Sequence, residues 1–265
     1  MRAIFVILFL VITIFADDKC KEMLIKMSGS EKEREVFIVL DQTTSFPENI
    51  RKNAIVNIFG LIKSKTMVNL FTFSEYTKGK NISLLDRYYF HSQLTKEQRY
   101  EMGKKNLNTF DQCFESQTIG MQKKLTSDIL DSFKEGEASS SKSEILYTLK
   151  KISEKAVKLS NAKQKIVVII SDMLENSNFT SFYAKELKSI NIDKQLNIMK
   201  KNNLFGDFDG ADVIVVGAGI VDKENYRDGI DFDNLENIWK EYFKNSSAKL
   251  ITFEQELKYP LKEMY

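Results

Sequence analysis

The sequence predicts a protein of the α/β class, with a mainly parallel central sheet covered by helices on both faces. Short, continuous apolar runs recur along the chain, and each suits a strand that is buried on both sides. Amphipathic helical patterns separate several of these runs, and such alternation is typical of βαβ crossovers. The apolar runs are 36–40, 67–73, 166–170, 212–216 and 249–253.

The segments between these runs predict the other elements in chain order. An amphipathic face at 50–62 follows the first strand, and Pro47 marks the start of that helix. Residues 76–130 are polar and less periodic, which predicts an insertion of helices and loops. Similar faces at 145–159 and 235–243 predict helices before the third strand, which has the strongest β signal, and before the last strand.

The N-terminus predicts export. Arg2 precedes an uncharged apolar run at 3–16, which is short for a membrane span and resembles a secretory signal peptide ending at Ala16. An uncleaved anchor is the alternative, and only then would the protein be attached to a membrane. The mature protein is expected to be periplasmic or secreted. The predicted divisions are 1–16 as signal peptide, 17–33 as N-terminal segment, 34–255 as a single domain and 256–265 as a tail.

Cys20 and Cys113 are the only cysteines in the chain. In an exported protein an even pair favours one disulfide, and two unpaired thiols are the alternative. Neither cysteine has a neighbouring His or a second Cys, so the sequence gives little support to thiol catalysis.

Composition excludes several classes of function. The 39 basic and 37 acidic residues leave a net charge of +2, too small to indicate binding to nucleic acid or to an anionic membrane. A single His rules out a zinc site built from several His ligands.

Oxygen-bearing side chains follow two of the predicted strands and precede a predicted helix. Asp41, Thr43 and Ser45 alternate after the first strand, Asp172 follows the third, and Ser143 lies before the helix at 145–159. Open α/β sheets bind ligands at the carboxyl ends of their strands. Taken alone, each cluster is an ordinary turn or helix cap. Together they form an all-oxygen set suited to Mg²⁺, with Mn²⁺ or Ca²⁺ as alternatives.

These residues carry a resemblance to von Willebrand factor A domains. The segment Asp41–Ser45 resembles the Asp-x-Ser-x-Ser signature, which is half of the metal-ion-dependent adhesion site of that family. Ser143 stands where the family has a loop Thr, with Ser141 as an alternative, and Asp172 matches the family's later Asp. Met173 stands where Gly is common, and we expect it to crowd the rim of the site.

The resemblance spans about residues 34 to 255, and Trp239–Phe243 is similar to a late helix of a small exported bacterial subgroup. It implies a three-layer, Rossmann-like sandwich. It also implies that a divalent cation is held at the five candidate residues, which are Asp41, Thr43, Ser45, Ser143 and Asp172.

The same resemblance implies that a protein partner completes the coordination with a Glu or Asp carboxylate. On this interpretation the chain is a binding protein and not an enzyme. Two alternatives remain. One is a structural or assembly component that binds without metal through a degenerate site, and the other is a Mg²⁺-dependent phosphoesterase.

Overall fold

The computed structural model describes residues 18–74, 82–135, 142–182, 187, 190–220, 229–258, 260–263 and 265. The predicted signal peptide at 1–16 and the alternative ligand Ser141 lie outside these residues. No helix within the described ranges combines the length and apolar character needed to span a bilayer.

A six-stranded sheet forms the centre of the molecule, in the order β3-β2-β1-β4-β5-β6. Neighbouring strands pair in parallel, apart from β3, which runs antiparallel to β2. All five predicted strands are present, and the predicted α/β class is confirmed. The strands are β1 Arg34–Asp41, β2 Thr66–Phe73, β3 Ile82–Phe90, β4 Gln164–Ile170, β5 Asp212–Val216 and β6 Lys249–Glu254.

Helices cover both faces of this sheet, so the fold is a three-layer, Rossmann-like sandwich. One apolar core packs β1, β4 and β5 against α5, α6 and α7, and the other packs the opposite face against α2 and α4. The helices are α1 at 18–28, α2 Glu48–Leu61, α3 Lys96–Glu101, α4 Lys104–Glu135, α5 Ile145–Ile152, α6 Ile192–Lys201 and α7 Gly229–Asn245. A π-helical turn, Ser153–Val157, extends α5, and a short 3₁₀ helix, Leu261–Glu263, lies near the C-terminus.

The C-terminal segment packs onto α2. The side chain of Asn53 donates to the carbonyl oxygen of Leu257 over 3.1 Å, and the backbone N–H of Leu261 donates to Asn57 Oδ1 over 2.8 Å. Leu257 and Leu261 are both buried in the second core. The predicted tail is therefore integrated into the fold.

The segment 76–130 differs from its prediction of helices and loops, because it also contains the edge strand β3. The side chains of this strand are mostly exposed or half-buried, and only Tyr88 and Phe90 are buried. Without a regular apolar pattern, the strand depends on its backbone pairing with β2. Helices α3 and α4 follow this strand.

The predicted disulfide is confirmed. Cys20 on α1 is bonded to Cys113 on α4, with the two Cα atoms 5.3 Å apart. A small apolar cluster of Leu24, Leu94 and Phe110 lies at the same place. The disulfide and this cluster fasten α1 to the body of the protein.

Strand register determines where the candidate site lies. β1 and β4 are parallel neighbours, with Leu40 opposite Ile170, so Asp41 and Ser171 leave the sheet side by side. The chain passes from β1 towards β2 on one side, and the later strands extend from β4 on the other. The strand order therefore reverses between β1 and β4, and sheets of this kind bind ligands at such a crevice.

Candidate metal centre

Asp41, the last residue of β1, is buried with 1% of its surface exposed. Its Oδ1 accepts hydrogen bonds from the backbone N–H of Thr43 over 2.8 Å and from the Thr43 hydroxyl over 2.6 Å. Its Oδ2 accepts a hydrogen bond from the Ser171 hydroxyl over 2.7 Å. Burial raises the pKa of Asp41 to about 6, although the hydrogen bonds from Thr43 and Ser171 act to lower it. Neutral hydrogen-bond donors therefore offset only part of the cost of burying the ionised Asp41 carboxyl group.

Asp172 connects the loop after β4 to the loop after β1. Its Oδ2 accepts a hydrogen bond from the Thr44 hydroxyl over 2.5 Å, and its Oδ1 accepts one from the backbone N–H of Leu174 over 2.8 Å. The bond between Ser171 and Asp41 crosses between the same two loops in the other direction. The two predicted acidic residues thus belong to one hydrogen-bonded cluster.

Thr44 is a member of this cluster that the sequence did not predict. In an extended segment the side chain of Thr44 would point away from those of Thr43 and Ser45. The loop after β1 is not extended in this way, and the hydroxyls of Thr43 and Thr44 reach different carboxyl groups. No residue pattern in the sequence indicates this turn.

Ser143 reaches the same end of the sheet through backbone contacts. Its hydroxyl donates to the carbonyl oxygen of Leu174 over 2.7 Å, and its N–H donates to that of Asn176 over 3.1 Å. Ser143 is thus buried against the loop after β4. Ser45 is half-buried, and its hydroxyl makes no hydrogen bond to the described part of the chain.

Met173 does not crowd the rim of the site, contrary to the expectation. Its side chain is fully buried in the core beneath α7, and its carbonyl oxygen accepts a hydrogen bond from Trp239 Nε1 over 2.8 Å. Its φ of 59° lies in the left-handed region, which glycine adopts most easily. The position therefore needs an unusual backbone conformation, and burial of the methionine side chain offsets the cost of that conformation.

The donor chemistry of the cluster fits a hard divalent cation. Asp41 and Asp172 supply carboxylate oxygens, and Thr43, Ser45 and Ser143 could add hydroxyl oxygens. Within the described ranges, no three His, Cys, Asp or Glu side chains are grouped so that they could hold an ion. Hydroxyl groups and waters would therefore have to complete the coordination, as Mg²⁺ accepts readily.

Glu175 is a further buried carboxyl group, and the sequence did not predict its role. It is 1% exposed, and its Oε2 accepts the backbone N–H of Leu146 in the first turn of α5 over 2.9 Å. Burial raises the pKa of Glu175 to about 7, despite hydrogen bonds from Ser177 and from the backbone of Leu146 and Ile145. In the sequence, nothing distinguishes this residue from a surface glutamate.

No model of a known protein family matches the chain, and no curated protein matches it. Among solved structures, the chain is similar to an aerotolerance-related membrane protein from Bacteroides fragilis, crystallised with multiple mutations to serines. The TM-score is 0.35 and the sequence identity 12%, over 83% of this chain and 92% of the other. A likeness at this level establishes neither the fold nor the function; strand order and pairing define the fold.

Proposed function

We propose that this chain binds a protein partner through a divalent cation held at the carboxyl ends of β1 and β4. The observation that carries the proposal is the buried Asp41 carboxyl group at the point where the strand order reverses. Among the described residues, no Lys or Arg forms an ion pair with it. A buried carboxylate in this position is stabilised by a cation. The resemblance to von Willebrand factor A domains supports the same assignment.

The residues that would hold the cation are Asp41, Thr43, Ser45, Ser143 and Asp172, and the ion we favour is Mg²⁺. When bound, the ion supplies positive charge and an open coordination position for a Glu or Asp carboxylate of the partner. The hydroxyl groups of Thr43 and Ser171 hold the Asp41 carboxyl group in its orientation. The hydroxyl of Thr44 does the same for Asp172.

We further propose that the protein acts outside the cytoplasm, in the periplasm or secreted. The disulfide between Cys20 and Cys113 is compatible with an oxidising compartment. The site residues are carboxyl and hydroxyl groups suited to holding an ion, and binding is the function that we propose for them.

Isothermal titration of Mg²⁺, Mn²⁺ and Ca²⁺ into the wild-type protein and Asp41→Asn tests the metal site. We expect binding by the wild type and a loss of at least roughly tenfold in affinity for the variant, because a neutral amide attracts a divalent cation less than a carboxylate does. Glu115→Gln, an exposed substitution on α4, is the matched control and should bind like the wild type.

Partner capture with Mg²⁺ and with a chelator tests the second part of the proposal. We expect capture that requires the ion and fails with Asp41→Asn. A partner captured equally well with chelator and by the variant would contradict the proposal. That outcome would favour the metal-independent assembly component, which is consistent with the hydrogen bonds that both Asp41 oxygens already accept.

A further inference from the structure

A pocket of about 310 Å³ opens beside the candidate metal centre, between the first turn of α5 and the segment 175–179. Its volume lies at the lower end of the range typical of small-ligand sites. The side chains used in the following argument are Leu146 and Leu204, Tyr147 and Phe179, and Glu144 and Glu175.

The acidic part of the pocket is formed by two glutamate side chains. Glu175 is buried in the pocket wall, and Glu144 is half-buried nearby, close enough for its charge to act on Glu175. In the described part of the chain no Lys or Arg forms an ion pair with Glu175. The groups that bond to it are Ser177 and the first backbone N–H groups of α5, all of them neutral. This end of the pocket is therefore acidic, and in the described part of the chain only neutral groups hydrogen-bond to Glu175.

The remaining walls are apolar, and the rim is aromatic. Leu146 and Leu204 are buried and line the interior. Tyr147 and Phe179 stand at the opening with 40% and 46% of their surfaces exposed. Phe179 lies in a tight turn, in which the N–H of Ser177 donates to the carbonyl oxygen of Thr180 over 3.0 Å. Large exposed aromatic side chains beside a carboxyl group are typical of sites for organic cations.

We propose that this pocket binds the side chain of an arginine presented by a protein partner. An arginine combines an aliphatic stem, which matches the leucine walls, with a guanidinium group that donates to a carboxylate and stacks on an aromatic ring. It is also more weakly hydrated than a lysine ammonium group, which favours its burial beside Glu175.

Two lysines lie near the pocket, and Lys151 indicates which aromatic ring is left for the arginine. Lys151 Nζ lies 5.3 Å from the centroid of the Tyr147 ring, so that ring already has a cation beside it. Lys142 Nζ donates to Asn178 Oδ1 over 2.8 Å, next to Phe179 in the turn. We therefore expect the guanidinium group to stack on Phe179 and to donate to Glu175. The inference does not depend on the cation of the proposed function, because none of these side chains is a proposed metal ligand.

The test uses a short, otherwise uncharged peptide with one central arginine, and the same peptide with citrulline in its place. Citrulline keeps the shape of arginine without its charge. Titration followed by NMR chemical shifts should show millimolar or tighter binding of the arginine peptide, with citrulline weaker by about tenfold. Equal affinity for the two peptides, or no binding of the arginine peptide at millimolar concentration, would overturn the proposal.

Variants of the pocket test the location. Glu175→Gln should lower the affinity for the arginine peptide by about tenfold, and Phe179→Ala should lower it by roughly fivefold. Because Phe179 is exposed in a turn, its substitution leaves the core intact and keeps the test valid if Glu175→Gln proves unstable. Tyr100→Ala, which removes an aromatic ring that is 93% exposed on α3, is the matched control. Unchanged affinity in Phe179→Ala and in a folded Glu175→Gln would reject the site.

A final comparison separates this inference from the proposed function. Binding of the arginine peptide should persist with a chelator and with Asp41→Asn, because the pocket contains no metal ligand. A peptide that binds only in the presence of Mg²⁺ would show that the pocket is not an independent site and would overturn the inference.

Discussion

Glu175 is expected to make part of the protein's stability depend on pH. Burial raises its pKa from an ordinary value of 4.5 to about 7, so the folded state holds the proton more tightly than the unfolded chain does. Its contribution to stability is therefore complete below pH 4.5 and is lost as the pH rises through 7. Glu175→Gln removes this titration and leaves an amide oxygen that can accept the N–H of Leu146.

We accordingly predict that Glu175→Gln gains stability relative to the wild type as the pH rises from about 5 to about 8, by on the order of 2 kcal/mol. Urea unfolding of both proteins across this range measures the difference, in which the contributions of other groups cancel. The exposed Glu115→Gln should show no such trend. A difference between wild type and Glu175→Gln that stays constant with pH would contradict the assignment.

Met173 combines a strained backbone, which lowers the stability of the fold, with a buried side chain, which raises it. Met173→Gly would relieve a positive φ, a gain of about 1 kcal/mol. It would also remove a fully buried side chain, which costs roughly 2–5 kcal/mol. We predict net destabilisation, measured by denaturant unfolding.

Ser247→Gly is the matched substitution for this comparison, because Ser247 is exposed and has a φ of 56°. Glycine relieves the positive φ at this position, and no buried side chain is lost. The free energy of unfolding should therefore rise by up to about 1 kcal/mol. If Met173→Gly were also stabilising, its side chain would contribute little to the core.

At the scale of elements, the disulfide and a small apolar cluster hold α1 against α4. The bonded cysteines are separated by 93 residues in the sequence, so the bond restricts a long loop in the unfolded chain. Replacing Cys20 and Cys113 with Ser should lower the free energy of unfolding by about 2–5 kcal/mol. Guanidinium unfolding of the variant and the wild type measures this loss.

The same double variant should retain the metal binding that we propose for the wild type. Both cysteines lie on helices, whereas the candidate site is formed by loops at the ends of β1 and β4. A parallel loss of metal affinity would show that α1 and α4 support the site, contrary to this expectation.

Strand β3 shows why some elements escape prediction from sequence. Strands β1 and β4 lie inside the sheet and are buried on both faces, so each is a continuous apolar run. β3 pairs only with β2 and leaves most of its side chains exposed or half-buried. Its conformation depends on backbone hydrogen bonds to a neighbour, which no local pattern of residues encodes.

At the scale of the whole molecule, the candidate metal centre and the proposed arginine pocket form one end of the sheet. The loop after β4 contributes Asp172 to the first and Glu175 to the second. Just before α5, Ser143 is a candidate metal ligand and the adjacent Glu144 lines the pocket. A partner that occupied both would therefore present an acidic and a basic side chain close together, a pairing that favours specificity.

The sequence by itself determined the strands buried on both faces, the amphipathic helices and the α/β class, and it favoured a disulfide between the only two cysteines. The strands, the helices and the fold class follow from local patterns of burial. The disulfide is favoured because the chain has only two cysteines. Tertiary structure alone decided that Thr44 bonds to Asp172, that the Met173 side chain enters the core, and that Glu175 is buried beside α5. Each of these depends on how loops from different strands turn and meet, and contacts between distant segments are not encoded in the spacing of residues along one of them.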